Sequence, residues 1–172
     1  WKWIFAGDGS GILNYFLTQL HIVKAPVSWL TTERGAMTAL IITNIWRGVP
    51  FNMLLLATGL TTLPEELFEA AAIDGANRIQ RFCHITLPLL KPTILSVVTL
   101  GFIYTFKAFD LIYIMTNGGP LDSTQILATA SYKLTFSNFE FGQGAAVANI
   151  MLILLLVVAI FNLKLMEKEE VM

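Results

Sequence analysis

The charged and reactive side chains of this sequence are dispersed, and few of them stand at spacings that enzymes use. Glu69 and Asp74 are five positions apart, so on a helix their carboxylates diverge and do not share an acid–base task. Cys83 is the single cysteine, and no second thiol or histidine pair at ligand spacing accompanies it. The sequence therefore predicts no catalytic group, no metal site and no cofactor.

Polar residues interrupt the apolar stretches, where they are costly unless they face protein or water. Asn44, Arg47 and Asn52 could line a pathway or bond to a neighbouring helix. Lys107 and Asp110 are three positions apart and could pair, or lie at the edge of a membrane.

A stripe of small, weakly polar residues is a further candidate for solute contact. It consists of Gly101, Thr105 and Ala108, which recur at i, i+4 and i+7. Such a stripe can line a pathway, and it can equally let two helices pack closely. Close packing is the commoner role of such residues.

The composition places these residues in a membrane protein. Of 172 residues, 55% are hydrophobic and 13% are charged, the mean hydropathy is +0.67, and apolar residues come in long blocks. The net charge of −1 argues against a nucleic-acid partner. The chain starts at Trp1 without an initiator methionine, and we expect it to be a piece of a longer protein.

Three segments are long and apolar enough to cross a bilayer as helices, which takes about 20 residues. They are 36–60, 93–116 and 142–165. The last is the most uniform, because no charge occurs between Ala145 and Leu163, whereas Pro50 predicts a kink in the first. The remaining segments are 1–35, 61–92, 117–141 and the tail 166–172.

Basic residues near the ends of the spans predict their orientation. The segment 61–92 carries Arg78, Arg81 and Lys91, and the tail carries Lys164 and Lys168, whereas 117–141 has only Lys133. We therefore expect 61–92 and 166–172 in the cytoplasm and 1–35 and 117–141 outside, although three basic residues in 1–35 weaken the bias.

The 61–92 connection has the signals of two short helices joined by a turn. Thr62 and Glu65 fit a capping box, with Pro64 in the first turn. Asp74-Gly75 provides a stop, and a second helix is predicted from about 77 to 86, ended by Leu87-Pro88.

The 117–141 connection begins with a turn signal, Thr116-Asn-Gly-Gly-Pro120. Ser123 or Thr124 could then cap a short helix that reaches toward Leu134. For residues 1–35 the mixture of aromatic, glycine and polar residues predicts an external loop without further detail.

One stretch of the 61–92 connection resembles a known family. Glu69-Ala-Ala-Ala-Ile-Asp74-Gly75-Ala76, followed by Phe82 and Ile85-Thr-Leu-Pro88, resembles the EAA loop of permease subunits of binding-protein-dependent ABC importers. Pro64-Glu-Glu-Leu-Phe, Phe106-Lys-Ala-Phe-Asp-Leu-Ile-Tyr and Thr116-Asn-Gly-Gly-Pro120 are similar to the carbohydrate branch, typified by the maltose-transporter permeases. The resemblance covers nearly the whole chain.

The resemblance implies an all-α membrane protein: a fragment of a type I ABC importer permease fold with three transmembrane helices and a cytoplasmic coupling-helix loop. It implies a bacterial or archaeal inner membrane, two ATP-binding cassette subunits, a second permease subunit and an external solute-binding protein. A carbohydrate or related polar solute would pass by ATP-driven alternating access. ATP would be hydrolysed in the partner subunits, since this sequence has no Gly-x-x-x-x-Gly-Lys-Ser/Thr loop.

The resemblance also assigns residues to these roles. Coupling to the ATPase would involve Glu69, Ala70, Ala71, Asp74, Gly75 and Ala76. The small side chains let another protein surface approach the backbone, and Gly75 permits a turn that would strain other residues. The substrate pathway would involve Gly48, Phe51, Gly101, Thr105 and Ala108. Three rival functions remain: a secondary transporter or channel without an ATPase partner, a membrane-embedded enzyme and a structural subunit.

Overall fold

The computed structural model describes residues 1–170, the side chains of Leu163 and of residues 165–170 excepted, and all the secondary structure in that range is helical. The helices are α1 (Ile12–Gln19), α2 (Glu33–Thr61), α3 (Glu65–Ile73), α4 (Arg78–Arg81), α5 (Leu87–Phe106), α6 (Phe109–Met115), α7 (Leu127–Tyr132) and α8 (Phe141–Glu170). Two π-helical turns, Phe82–Thr86 and Lys133–Ser137, follow α4 and α7.

Three helical stretches in the described range are long and apolar enough to cross a membrane: Glu33–Thr61, Arg78–Phe106 and Phe141–Asn162. An all-α chain with three spans is what the sequence predicts. Helix α8 continues to Glu170, so most of the predicted tail 166–172 is helical, and Val171 and Met172 lie outside the described residues.

The second span begins earlier than predicted, because α4, the first π-helical turn and α5 form one continuous helix from Arg78 to Phe106. The prediction that Leu87-Pro88 ends a helix is wrong. In the π-helical turn the Leu87 N–H donates to the Phe82 carbonyl, five residues back. This widened turn precedes Pro88, which has no N–H to donate, so the helix passes the proline without ending.

The predicted span 93–116 is two helices in the structure. Helix α5 ends at Phe106, Ala108 leaves the helical region with ψ at 55°, and α6 begins at Phe109. Ala108 is buried and α6 contributes Leu111, Ile112 and Met115 to a hydrophobic core. Burial of this apolar face fixes α6 after the break.

Contacts divide the chain into two compact units, and the first consists of residues 1–47 and 104–155. Its core combines Phe5, Ala39 and Leu40 with the buried face of α6. Helix α1 was not predicted, and buried Asn14 explains its place in this unit. The Asn14 side chain donates to the carbonyls of Ala6 (2.9 Å) and Val27 (3.0 Å) and accepts from the Val27 N–H and the Trp29 indole.

The second unit contains residues 48–103 and the described part of α8 from Leu156 onward. Here α2 and α5 approach closely at Gly59. A Cβ atom at this position would lie 2.7 Å from Cγ2 of Thr93 and 3.0 Å from Leu90, so only glycine fits without a shift. The two helices are therefore packed together immediately before the 61–92 connection.

Candidate functional site

Helix α3 is reached by a short, tight link. The hydroxyl of Thr62 donates to the Gly59 carbonyl at 2.8 Å, back into α2. The predicted capping box of Thr62 and Glu65 is therefore wrong: α3 begins at Glu65 after Pro64, with no side-chain cap. Glu65 and Glu66 in the first turn instead place negative charge at the positive end of the helix.

Helix α3 ends in a glycine turn. The Asp74 N–H donates to the Ala70 carbonyl, the Gly75 N–H to Ala72 and the Ala76 N–H to Ala71, which satisfies the last carbonyls of the helix. Gly75 has φ at +79°, in the left-handed region that favours glycine. The geometry matches the turn predicted from Asp74-Gly75.

Helix α4 starts from a capping box that the sequence analysis missed. The Asn77 side chain accepts from the Gln80 N–H at 2.9 Å, and the Gln80 side chain accepts from the Asn77 N–H at 2.8 Å. Asn-x-x-Gln is a recognisable signal for such a box. The two boundaries, Gly75 and Asn77, fix the direction in which α3 meets the continuous helix.

We call residues 65–79 the α3 loop, and its surface is strongly exposed. No residue of α3 is buried, and the apolar side chains of Ile73 and Ile79, one on each side of the turn, are 88% and 74% exposed. A Cβ atom at Gly75 would meet nothing within 4 Å. Exposed apolar groups beside small residues are typical of a surface that another protein covers.

The six residues assigned to coupling all lie in this loop. Glu69, Ala70 and Ala71 are on α3, Asp74 and Gly75 form the turn, and Ala76 leads to α4. Glu69, Ala70, Asp74 and Gly75 are exposed, whereas Ala71 and Ala76 are partly buried. The loop thus presents small, apolar and acidic groups together.

A polar cluster lies in the first unit, around the break between α5 and α6. The Asn44 amide donates to the Thr105 hydroxyl at 2.9 Å, and the Arg47 guanidinium lies 3.3 Å from the Asp110 carboxylate. Asp110 thus pairs with Arg47, while the Lys107 ammonium lies 5.7 Å from the centre of the Tyr104 ring. Two polar contacts connect α2 to the chain on both sides of the break.

The five residues assigned to the substrate pathway divide between the units. Gly48, Phe51 and Gly101 belong to the second unit, and Thr105 and Ala108 to the first. Phe51 is 43% exposed, and a Cβ atom at Gly101 would meet nothing within 4 Å. Thr105 bonds to Asn44, and Ala108 is buried at the helix break.

No group of three or more His, Cys, Asp or Glu side chains in the described part of the chain could hold a metal ion. Cys83 is exposed and lies in the π-helical turn.

Comparison with known proteins finds a family model and related permeases that match nearly the whole chain. Residues 3–168 match the family model described as the inner membrane component of binding-protein-dependent transport systems. The chain is 38% identical over 90% of its length to the trehalose/maltose transport system permease protein of Thermococcus litoralis. It is 34% identical over 99% of its length to the diacetylchitobiose uptake system permease protein of Streptomyces coelicolor.

A solved structure has the same fold. The chain superposes on a bacterial ABC transporter involved in import of the acidic polysaccharide alginate with a TM-score of 0.84 and 22% identity, covering 97% of this chain and 58% of that one. The chain spans little more than half the length of the curated relatives it matches, 51% and 52% for the two permeases above.

Proposed function

This chain belongs to the family of inner membrane components of binding-protein-dependent transport systems, and from that premise we propose that it is part of the permease subunit of an ABC importer for a carbohydrate or related polar solute. The observation that carries the proposal is the α3 loop. Its exposed Ile73 and Ile79 flank a glycine turn, with Glu69 and Ala70 exposed beside them.

The α3 loop is joined at both ends to long membrane helices. On one side it follows α2 after the short link 62–64, and on the other α4 runs without a break into α5. Gly59 holds these two helices together near the loop. A protein that binds α3 and moves would therefore also move the parts of α2 and α5 that belong to the second unit.

We place the partner in the cytoplasm. Arg78, Arg81 and Lys91 follow the turn, and a surplus of basic residues marks the cytoplasmic side of membrane helices. The partner would be an ATP-binding cassette subunit, two of which would serve this chain and a second permease. ATP hydrolysis would then drive alternating access, with Glu69, Ala70, Ala71, Asp74, Gly75 and Ala76 at the contact.

The solute class rests on the relatives, which are named for trehalose, maltose and diacetylchitobiose. An external solute-binding protein would deliver such a solute. Within the chain, Gly48, Phe51, Gly101, Thr105 and Ala108 are the proposed pathway residues, and Asn44 joins them because it bonds to Thr105. Amide and hydroxyl groups at membrane depth suit a solute with many hydroxyls.

The experiment is co-purification of the full-length permease with candidate ATPase subunits. We expect Glu69→Lys and Gly75→Pro to lose the ATPase, because the first reverses a contact charge and proline cannot adopt the positive φ of Gly75. Glu140→Lys and Gly142→Pro are matched controls: Glu140 is exposed, and Gly142 lies in the first turn of α8, where proline is tolerated. Each variant must reach the membrane.

If the ATPase binds all four variants equally, the α3 loop is not the coupling site. If no ATPase ever associates with the native protein, a secondary transporter becomes the better account of the chain.

A further inference from the structure

The loop between α6 and α7 is a fixed frame around a cavity. The Thr124 hydroxyl donates to the Gly119 carbonyl at 2.7 Å and lies 2.8 Å from the Thr116 hydroxyl, and the Thr124 N–H donates to Gly118. Thr124 is buried, so the predicted helix cap at Ser123 or Thr124 is wrong; Thr124 closes the turn instead. Its bonds hold both ends of the turn together.

The cavity has a volume of about 380 Å³. Small-molecule sites occupy roughly 300–1,000 Å³, so it can take one sugar-sized ring. Its lining is mostly polar and includes Tyr113, Asn117, Asp122, Gln125, Lys133 and Asn138. Tyr113 lies on α6, Asn117, Asp122 and Gln125 lie in the loop between α6 and α7, and Lys133 and Asn138 follow α7. All of them belong to the first unit.

The charges in the cavity balance one another. The Lys133 ammonium lies 2.9 Å from the Asp122 carboxylate and 3.4 Å from the Gln125 amide oxygen. The lining thus offers an internally paired cation and anion beside the amides of Asn117, Gln125 and Asn138. Such a set can donate to and accept from a neutral ligand in several directions.

Tyr113, which lines the cavity, belongs to a chain of four aromatic rings in contact with one another. Tyr113 stacks on Phe109 with centroids 5.1 Å apart, and it meets Tyr132 at 5.0 Å, which in turn meets Phe136 at 5.1 Å. A hydrogen bond with Tyr113 raises the pKa of Tyr132 above its ordinary value. Tyr113 keeps 38% of its surface exposed and is one of the residues that line the cavity.

We propose that this cavity is a binding subsite for one ring of a neutral sugar, formed by the Tyr113 ring and the amides of Asn117, Gln125 and Asn138. The inference rests on the proposed function, and it adds a site outside the pathway residues named above. A sugar has an apolar face of C–H groups that packs on an aromatic ring, and edge hydroxyls that pair with amides and carboxylates.

Other ligand classes fit the cavity less well. An anion would need a free cation, and Lys133 is already neutralised by Asp122. A divalent cation would need several oxygen anions, and Asp122 is the only carboxylate among the lining residues of the described chain. An apolar ligand would leave the amides without partners.

The test is sugar binding by the complete transporter in lipid nanodiscs without its solute-binding protein, with maltose and trehalose as probes. Saturation-transfer NMR would measure affinities in the millimolar range. We expect Tyr113→Leu and Asn138→Ala each to weaken binding by about fivefold or more, through loss of the ring face and of one amide. Tyr113→Phe keeps the ring and should change binding by less than about twofold.

Gln143→Ala and Phe139→Leu are the matched controls, since both residues are exposed and neither lines the cavity. Equal binding by all five variants, or no binding of either probe, would overturn the subsite. Carbohydrate uptake and ATPase co-purification, measured on the same preparations, report on the proposed function. Intact uptake with unchanged cavity variants would refute the subsite and leave the permease function standing.

Discussion

At the scale of single residues, Arg47 and Asp110 show how two charges are kept beside apolar helices. Their side chains lie 3.3 Å apart and are 46% and 64% exposed. An exposed ion pair in water contributes little, but Arg47 lies within the candidate span Glu33–Thr61, where an unpaired charge would cost about 3 kcal/mol at membrane depth. Sequence spacing could not identify this pair, because Lys107 is nearer to Asp110 along the chain.

We expect Arg47→Gln and Asp110→Asn each to lower the thermal unfolding midpoint of the purified complex by several degrees. Each leaves one charge without its partner at the junction of α2 and α6. The exchange Arg47→Asp with Asp110→Arg should restore most of the loss, whereas Lys107→Gln should have little effect. The account would be contradicted if the exchange were no better than either single change in differential scanning fluorimetry.

The turn at Gly75 was predicted correctly from the sequence, whereas the helix cap at Thr62 was not. The glycine turn follows from local chemistry, because φ at +79° is a conformation for which Gly is strongly favoured. The prediction that Thr62 caps α3 was wrong because its hydroxyl donates to the Gly59 carbonyl in the last turn of α2. A hydroxyl that can bond backward or forward is not assigned by sequence alone.

At the scale of elements, the continuous helix from Arg78 to Phe106 is the main departure from prediction. The rule that proline ends a helix failed at Pro88 because a π-helical turn lies just before it. The sequence did not predict the break between α5 and α6, because no proline or glycine lies there. The break is stabilised by burial of Ala108 and of the apolar face of α6. A local π-helical turn therefore decided the first case, and tertiary packing decided the second.

Gly144, near the start of α8, is in close contact with α7 and with the π-helical turn that follows α7. A Cβ atom at Gly144 would overlap the Thr135 hydroxyl and lie 3.1 Å from the Ser131 carbonyl oxygen, and the Ser131 hydroxyl donates to the Gly144 carbonyl at 2.9 Å. We expect Gly144→Ala to destabilise the protein by about 1–3 kcal/mol, as overpacking does. Thermal unfolding in detergent would measure it.

Two further variants separate overpacking from the cost of changing any glycine in α8. Gly142→Ala should leave stability unchanged, because a Cβ atom there meets nothing within 4 Å. Thr135→Ala in the Gly144→Ala background should recover part of the loss, since it removes the overlapping hydroxyl but not the Ser131 contact. Equal effects of Gly142→Ala and Gly144→Ala would show that close packing is not the cause.

At the scale of the whole molecule, the sequence was sufficient for the class, the three spans and the family. Long apolar blocks and a distinctive loop carry that information, and residues 3–168 match the family model. Sequence reasoning did not reveal helix α1 or the cavity between α6 and α7, since both depend on contacts between distant residues, such as those of buried Asn14. The chain spans 58% of a Brucella suis permease and 51% of the Thermococcus litoralis permease, so the partners of the whole protein enter as proposals.

The central claim, that the α3 loop contacts an ATPase subunit, is tested most directly by site-specific cross-linking. Cys83 is the single cysteine of this sequence, and Cys83→Ser, together with replacement of any cysteine elsewhere in the full-length permease, provides a background for one new thiol. Ile73→Cys and Leu121→Cys are matched, since both side chains are 88% exposed. With a short thiol–amine cross-linker in membranes of the assembled complex, Ile73→Cys should join the ATPase subunit and Leu121→Cys should not; cross-linking of Leu121→Cys alone, or of neither, would contradict the claim.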